Sequence, residues 1–330
     1  MKLYLAPLQG LTTVLFRNTF EKRFGGIDEY YSPFVGTSKS EKMGTSLFRD
    51  LFPERNSESV MLVPQLLGND GEDFRRFAAR IAEYGYRHFN WNIGCPYPTV
   101  TTKCKGSGIL PFPERIDRFL GDAFSDFPYD ISVKMRLGMH RADESAKVIE
   151  VLNRYPLKEV TIHARTGVQQ YEGNVDLDAF GSALSAIKHD VIYNGDIFTA
   201  EDFLRVTSRF PSIKGVMLGR GVLRDPLLPL KIRGQNFTDS ERISRMKSFH
   251  DELYRLYEEE MSGPKHLLDK MKGFWEHLSV HLDGDGRMLR SIRKAKTIDE
   301  YDEAIRVFFD SPIVWKSGRS DLIRECSVVS

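Results

Sequence analysis

Between residues 2 and 218, eight short runs rich in β-branched and aromatic residues alternate with longer amphipathic stretches. The runs cover 2–7, 29–35, 60–66, 88–93, 131–136, 160–164, 191–194 and 215–218. Short apolar runs followed by helical periodicity are the signature of repeated βα units around a parallel sheet. Eight such units in the first 235 residues or so predict a (β/α)8 TIM barrel, whose chemistry sits at the C-terminal ends of its strands. Beyond residue 236 the period becomes purely helical, over 240–261, 264–282 and 299–309. The pattern therefore predicts a barrel domain over 1–235 and a smaller all-helical domain over 236–330.

Polar and conformationally special residues fall where the predicted strands end. They are Pro7, Gln65, Asn92 with Cys95, Lys134 with Arg136, His163 with Arg165, Asn194 to Asp196, and Gly219 with Arg220. Any one alone reads equally well as a turn or surface residue. Their recurrence at successive strand ends makes them converge on one mouth. Composition narrows the setting: 41% of the 330 residues are hydrophobic, enough for a substantial core. No apolar run approaches the roughly 18 residues of a membrane span, and the opening Met1-Lys2-Leu3-Tyr4 is too quickly polar for a signal peptide. A soluble cytoplasmic protein without a membrane partner is expected. The three cysteines, Cys95, Cys104 and Cys326, form no CxxC pair and suit a reducing compartment, so a special cysteine would act as a thiol. With a net charge of +1, any nucleic-acid partner must be held by local basic patches, such as Arg287, Arg290, Arg293, Lys294 and Lys296.

Three clusters carry chemistry. Gly94-Cys95-Pro96 lets the chain turn sharply and then fixes it, which aims a thiol at the mouth. Cys104 lies in the polar run 101–106, expected to be a mobile exposed loop. Lys134 and Arg136, two apart on one strand, face the same side; Lys134 suits either electrostatic stabilisation of an anion or a Schiff base. Asn194-Gly195-Asp196 and Gly219-Arg220-Gly221 follow the seventh and eighth runs, where such barrels bind phosphate.

Taken in order, these segments resemble the dihydrouridine synthase family. The resemblance rests on Ala6-Pro7-Leu8-Gln9-Gly10-Leu11-Thr12, Pro64 to Gly68, Asn92 to Pro96, Val133 to Gly138, His163-Ala164-Arg165-Thr166 with Gln169, Tyr171 and Gly173, Asn194 to Ile197, and Met217 to Gly221. It implies a tightly bound flavin mononucleotide (FMN), NADPH as reductant and tRNA as substrate, with no obligate protein partner. Pro7, Leu8 and Gln9 would line the flavin ring, and Gln65 and Lys134 its pyrimidine edge. His163 would lie near the ribityl chain, and Asn194, Gly195, Asp196, Gly219 and Arg220 would hold the phosphate. Asn92, Arg136, Arg165 and Tyr171 would meet the substrate, with Tyr97 as a further face for a flipped-out uracil, while Trp91 reads equally as such a face or as a core residue. Cys95 aligns with the catalytic acid. Reduced flavin gives hydride to C6 of uracil, and a neutral thiol protonates C5. Two departures stand out: Leu8 replaces a methionine, a volume-conserving change, and the 105–112 loop after the cysteine differs, so the RNA position does not carry over. Three other readings remain open on the residues alone. They are a dihydroorotate dehydrogenase-like flavin enzyme acting on a free pyrimidine or small enone, a Lys134 Schiff-base aldolase, and a non-catalytic RNA-binding barrel.

Overall fold

A computed structural model describes residues 1–40, 44–282, 286–311, 313 and 315. Cys326 lies outside the described residues. The chain forms two compact units. The first comprises Met1–Val14, Ile27–Asp196 and Arg205–Leu218; the second comprises Leu15–Gly26, Ile197–Leu204 and the described part of Gly219–Ser330.

Ten parallel strands build the first unit: β1 (Lys2–Leu5), β2 (Glu29–Tyr31), β3 (Val35–Gly36), β4 (Leu62–Val63), β5 (Gln65–Leu67), β6 (His88–Ile93), β7 (Asp130–Gly138), β8 (Glu159–Thr166), β9 (Asp190–Asn194) and β10 (Gly215–Leu218). Pro64 has no N–H to donate, so it splits one expected strand into β4 and β5; Ser32-Pro33-Phe34 splits another into β2 and β3. Across each break the pairing resumes with the same neighbour, Tyr31 opposite Val63 and Val35 opposite Leu66. The ten strands are therefore eight staves, and β10 pairs with β1 to close the barrel. Every expected run becomes a stave.

Alternation decides which side chains enter the barrel. On β6, His88, Asn90 and Asn92 point inward, while Phe89, Trp91 and Ile93 point outward. Trp91 is fully buried, stacks on Phe119 of the helix Pro113–Phe124 at 3.6 Å, and donates to the Gly68 carbonyl. It is a core residue and not a face for the substrate base. The helix Gly71–Ala82 presents Phe74, Phe77, Ala78 and Ile81 to the staves, the i, i+3, i+4, i+7 stripe of an amphipathic helix, and Asp70 caps it by accepting from Asp73 N–H. Inside the barrel, Tyr4, Ala6, Tyr31, Val63, Ile192 and Met217 form an apolar plug.

Four helices dominate the second unit: Asp239–Glu260, Pro264–Leu278, Arg287–Lys294 and Ile298–Asp310. Thr238 and Glu241 form a reciprocal capping box at the start of the first. Phe16, Phe20 and Phe24, from the helix beginning at Val14, pack against Phe249 and Phe274. Tyr301 accepts from the Trp275 indole at 2.9 Å and hydrogen-bonds His250 at 2.8 Å, which satisfies the polar atoms of an otherwise aromatic core. On Arg287–Lys294, Met288 and Ile292 are buried while Arg287, Arg290, Arg293 and Lys294 are exposed. Among the described residues no helix is long and apolar enough to cross a membrane.

Candidate active site

The turn after β6 is built around one side chain. Asn92 Oδ1 accepts the backbone N–H of Gly94 at 3.0 Å and of Cys95 at 2.9 Å, which fixes the backbone that carries the thiol. Cys95 is only 8% exposed, and burial pushes its thiol above the ordinary cysteine range, against smaller opposing effects of the Tyr97 backbone, Arg136 and Lys134. At neutral pH it carries its proton. The loop that departs from the family pattern folds back under this turn: Ser107 donates to the Cys95 carbonyl through its N–H at 2.9 Å and its hydroxyl at 3.1 Å. Gly106 adopts φ +55°, and a Cβ there would meet the Cys95 carbonyl oxygen at 2.5 Å. Gly106→Ala is therefore expected to displace the Cys95 turn and lower turnover at least tenfold, an outcome checked by comparing single-turnover rates in folded protein of equal flavin content. Cys104 is half-buried, with Arg115 Nη1 3.3 Å from its sulfur, rather than exposed on a loose loop.

From Asn92 a hydrogen-bonded relay runs down the barrel. Both lone pairs of Asn92 Oδ1 face backbone N–H groups, so its amide nitrogen must be the atom facing Gln65, at 2.7 Å from Oε1. That leaves Gln65 Nε2 to donate to Asn90 Oδ1 at 2.7 Å, and Asn90 Nδ2 to donate to Ser132 Oγ at 2.9 Å. Two backbone N–H groups thus set the direction of every amide below them. Ser132 meets His88 Nε2 at 2.7 Å and also bonds Tyr31. Burial drops the His88 pKa to about 3, so the ring is neutral. Tyr31 and Tyr4 donate to the buried Glu159 at 2.5 and 3.2 Å, and desolvation raises the Glu159 carboxyl above its usual range. Asn90, Ser132 and Glu159 were not singled out in the sequence. Asn90 and Ser132 sit two residues before Asn92 and Lys134 on the same strand faces, which is the signal that could have found them.

Beside the relay, Lys134 donates to Asn194 Oδ1 at 3.0 Å, and Asn194 Nδ2 donates to the Met217 carbonyl. Among the described residues Lys134 has no carboxylate partner, and burial, reinforced by Arg136, pulls its pKa down to about 7. Opposite it in register, Thr161 Oγ1 is buried with no partner among the described residues. A cation without a counter-charge, an unused hydroxyl and the spare N–H of Gln65 fit the electron-rich N1–C2–O edge of a flavin ring. Leu8, in the loop after β1, is held by its N–H bond to Thr12 Oγ1 at 2.9 Å; Pro7 is half-buried and Gln9 exposed.

Arg136 is buried and braces the mouth: Nε donates to Gly94 O at 3.0 Å, Nη1 to Thr166 O at 2.6 Å, and its guanidinium lies 5.5 Å from the Tyr171 ring centre. Tyr171 also lies 6.2 Å from the His163 ring. Arg165 and Asp196 form a buried bidentate pair at 2.8 and 2.6 Å. Gly195, at φ +142°, precedes Asp196. Gly219 and Arg220 belong to the second unit, where Gly219 precedes the helix Arg220–Arg224 and Arg220 lies over the Phe198 ring at 5.6 Å.

The chain is 30% identical over 240 residues to the tRNA-dihydrouridine(16) synthase of Ralstonia nicotianae, covering 71% of this chain and 73% of that one. It is 28% identical over 318 residues to the protein of the same name from Pseudomonas putida, covering 93% and 91%. Among solved structures, histamine dehydrogenase from Rhizobium sp. 4-9 superposes with a TM-score of 0.53 at 10% identity, over 76% of this chain and 46% of that one. The old yellow enzyme homologue from Zymomonas mobilis gives 0.51 at 9%, over 72% and 90%. These two likenesses speak for the barrel alone. The dihydrouridine synthase family model, however, matches residues 4–301, and the chain belongs to that family.

Proposed function

We propose that this enzyme reduces a uridine of tRNA, with tightly bound FMN re-reduced by NADPH, in the cytoplasm. The observation that carries the residue assignment is a protonated, buried Cys95 whose turn is tied through Asn92 to Gln65. When bound, the flavin supplies the hydride that adds to C6 of uracil. Cys95 then gives its proton to C5, and its raised pKa keeps that proton in place until charge develops on the base. Asn92 uses its oxygen and one N–H within the protein, which leaves one N–H to face uracil. Tyr171 and Tyr97 offer faces to a base splayed out of the RNA. Lys134 and Gln65 hold the pyrimidine edge of the flavin, Pro7, Leu8 and Gln9 its ring, and His163 its ribityl chain. Asn194 and Gly195 are assigned to the phosphate end. The relatives from Ralstonia nicotianae and Pseudomonas putida carry position 16 in their names, which makes that uridine the target to test first.

The purified protein should be yellow, bleach with NADPH and recover colour with unmodified tRNA but not with free uracil or orotate. Faster reoxidation by the free pyrimidine would favour a small-molecule reductase, and protein that takes up no FMN would end the proposal. On the helical unit, the exposed face of Arg287–Lys294 is proposed to meet RNA phosphates. Arg290→Glu should weaken tRNA binding and flatten its salt dependence, with reduction of the flavin by NADPH unaltered. An unchanged salt slope removes this helix from the RNA surface.

A further inference from the structure

The resemblance would give Arg165 to the substrate and Asp196 to the phosphate, yet the geometry gives each to the other. A guanidinium has five N–H groups. Those of Arg165 go to Asp196 Oδ1 at 2.8 Å, Asp196 Oδ2 at 2.6 Å, the Glu172 carbonyl at 3.2 Å, the Gly173 carbonyl at 2.6 Å and His163 Nε2 at 3.4 Å. None remains for an RNA phosphate. The two carbonyls belong to the loop after β8, seven and eight residues further along the chain. That loop contains no helix or strand; two turns, Gln170 N–H to the Gly167 carbonyl at 2.9 Å and Glu172 N–H to the Gln169 carbonyl at 2.7 Å, bend it, with Gln170 at φ +48° and Gly173 at φ +63°. Its start is fixed by Gln169 Oε1, which accepts the Thr166 N–H at 2.8 Å, and by Arg136 on Thr166 O. Its far limb is held to the barrel by Arg165 at Glu172 and Gly173, and beyond them by the Asp176 N–H on the Ala164 carbonyl at 2.8 Å. Asp196 is itself left-handed at φ +37°, a conformation aspartate adopts more readily than most side chains.

We infer that the Arg165–Asp196 pair is a positioning latch: it holds the limb of the loop that carries Tyr171, so that the tyrosine ring stays against Arg136 and His163 at the barrel mouth. Arg165 Nη1 also lies 3.4 Å from His163 Nε2, which ties the imidazole beside Tyr171 to the same guanidinium. The pair touches neither the base nor the phosphate. This role rests on the reading that tRNA uridine is the substrate, since it is the substrate half-reaction that it serves.

Arg165→Lys separates the possibilities, because it keeps the charge opposite Asp196 but cannot span the carboxylate and both carbonyls. In FMN-loaded enzyme the variant should retain its flavin and its rate of bleaching by NADPH. Its half-saturating tRNA concentration should rise roughly tenfold, and a glutamate-specific protease should cleave after Glu172 faster than in the wild type. In a Tyr171→Ala background the same substitution should add no further loss with tRNA. Loss of flavin from Arg165→Lys would make the pair a cofactor ligand and overturn the latch. Unchanged cleavage after Glu172 together with unchanged tRNA saturation would overturn it as well. Should wild-type enzyme fail to act on tRNA, the functional reading falls, while the cleavage comparison still tests whether Arg165 holds the loop.

Discussion

Replacing Cys95 by alanine is expected to slow dihydrouridine formation by about 10² to 10⁴, the usual share of a positioned general acid. The thiol is buried, but its removal leaves no polar group unsatisfied, so folding, flavin content and bleaching by NADPH should be preserved. The check is a single-turnover reaction of pre-reduced enzyme with unmodified tRNA, with dihydrouridine measured directly. Unchanged turnover would refute the assignment. A second reading of the same thiol is independent of turnover. Because burial holds the proton on, alkylation of Cys95 should gain rate only at a pH above that of a free cysteine, near 8.5. Had the site been built for nucleophilic attack on the ring, the shift would run the other way.

The second large effect is expected at Lys134. Lys134→Met removes the charge we assign to a developing anion on the flavin edge, and reduction by NADPH should slow by about 10²-fold, the scale of one lost electrostatic donor. The pH dependence follows from the pKa near 7 in the flavin-free protein. Below that value the ammonium is already present, and an electron-rich ligand finds its partner. As pH rises through 7 the free site loses its charge, and binding must take up a proton to restore it. FMN affinity should therefore weaken progressively above pH 7 in the wild type, and proton uptake should accompany binding there. Lys134→Met should bind FMN more weakly with a flatter profile; identical profiles in titrations of the two apoproteins would remove Lys134 from the cofactor site.

Much of this was legible in the chain. Each apolar run became a stave because β-branched and aromatic residues alternate with turn residues at a spacing only βα repeats satisfy, and Lys134 and Arg136 share a face because a strand has period two. The breaks at Pro64 and Pro33 change hydrogen bonding without changing neighbours, so they leave little trace in a hydrophobic pattern. Trp91 was ambiguous for the opposite reason: its parity on β6 puts it outside, but parity can be assigned only once one residue of the strand is known to face in. The helix Arg287–Lys294 was seen as a charged row alone, since Met288 and Ile292 are too few to show a period. Least legible were the partnerships. Nothing near Arg165 in sequence says that Asp196, thirty-one residues on, takes two of its donors. Nor does Gln65 announce that Asn90 and Asn92 will hold both ends of its amide.

The relay through Asn92, Gln65, Asn90 and Ser132 also constrains how the protein can change over generations. Each junction pairs one donor with one acceptor, and the order starts from backbone groups that no mutation can exchange. Turning any one amide over would set like atoms face to face above and below it, at about 1 to 3 kcal/mol for each group left unmet. Positions 65, 90, 92 and 132 should therefore drift together or not at all, so that the floor of the barrel is inherited as a single character rather than residue by residue.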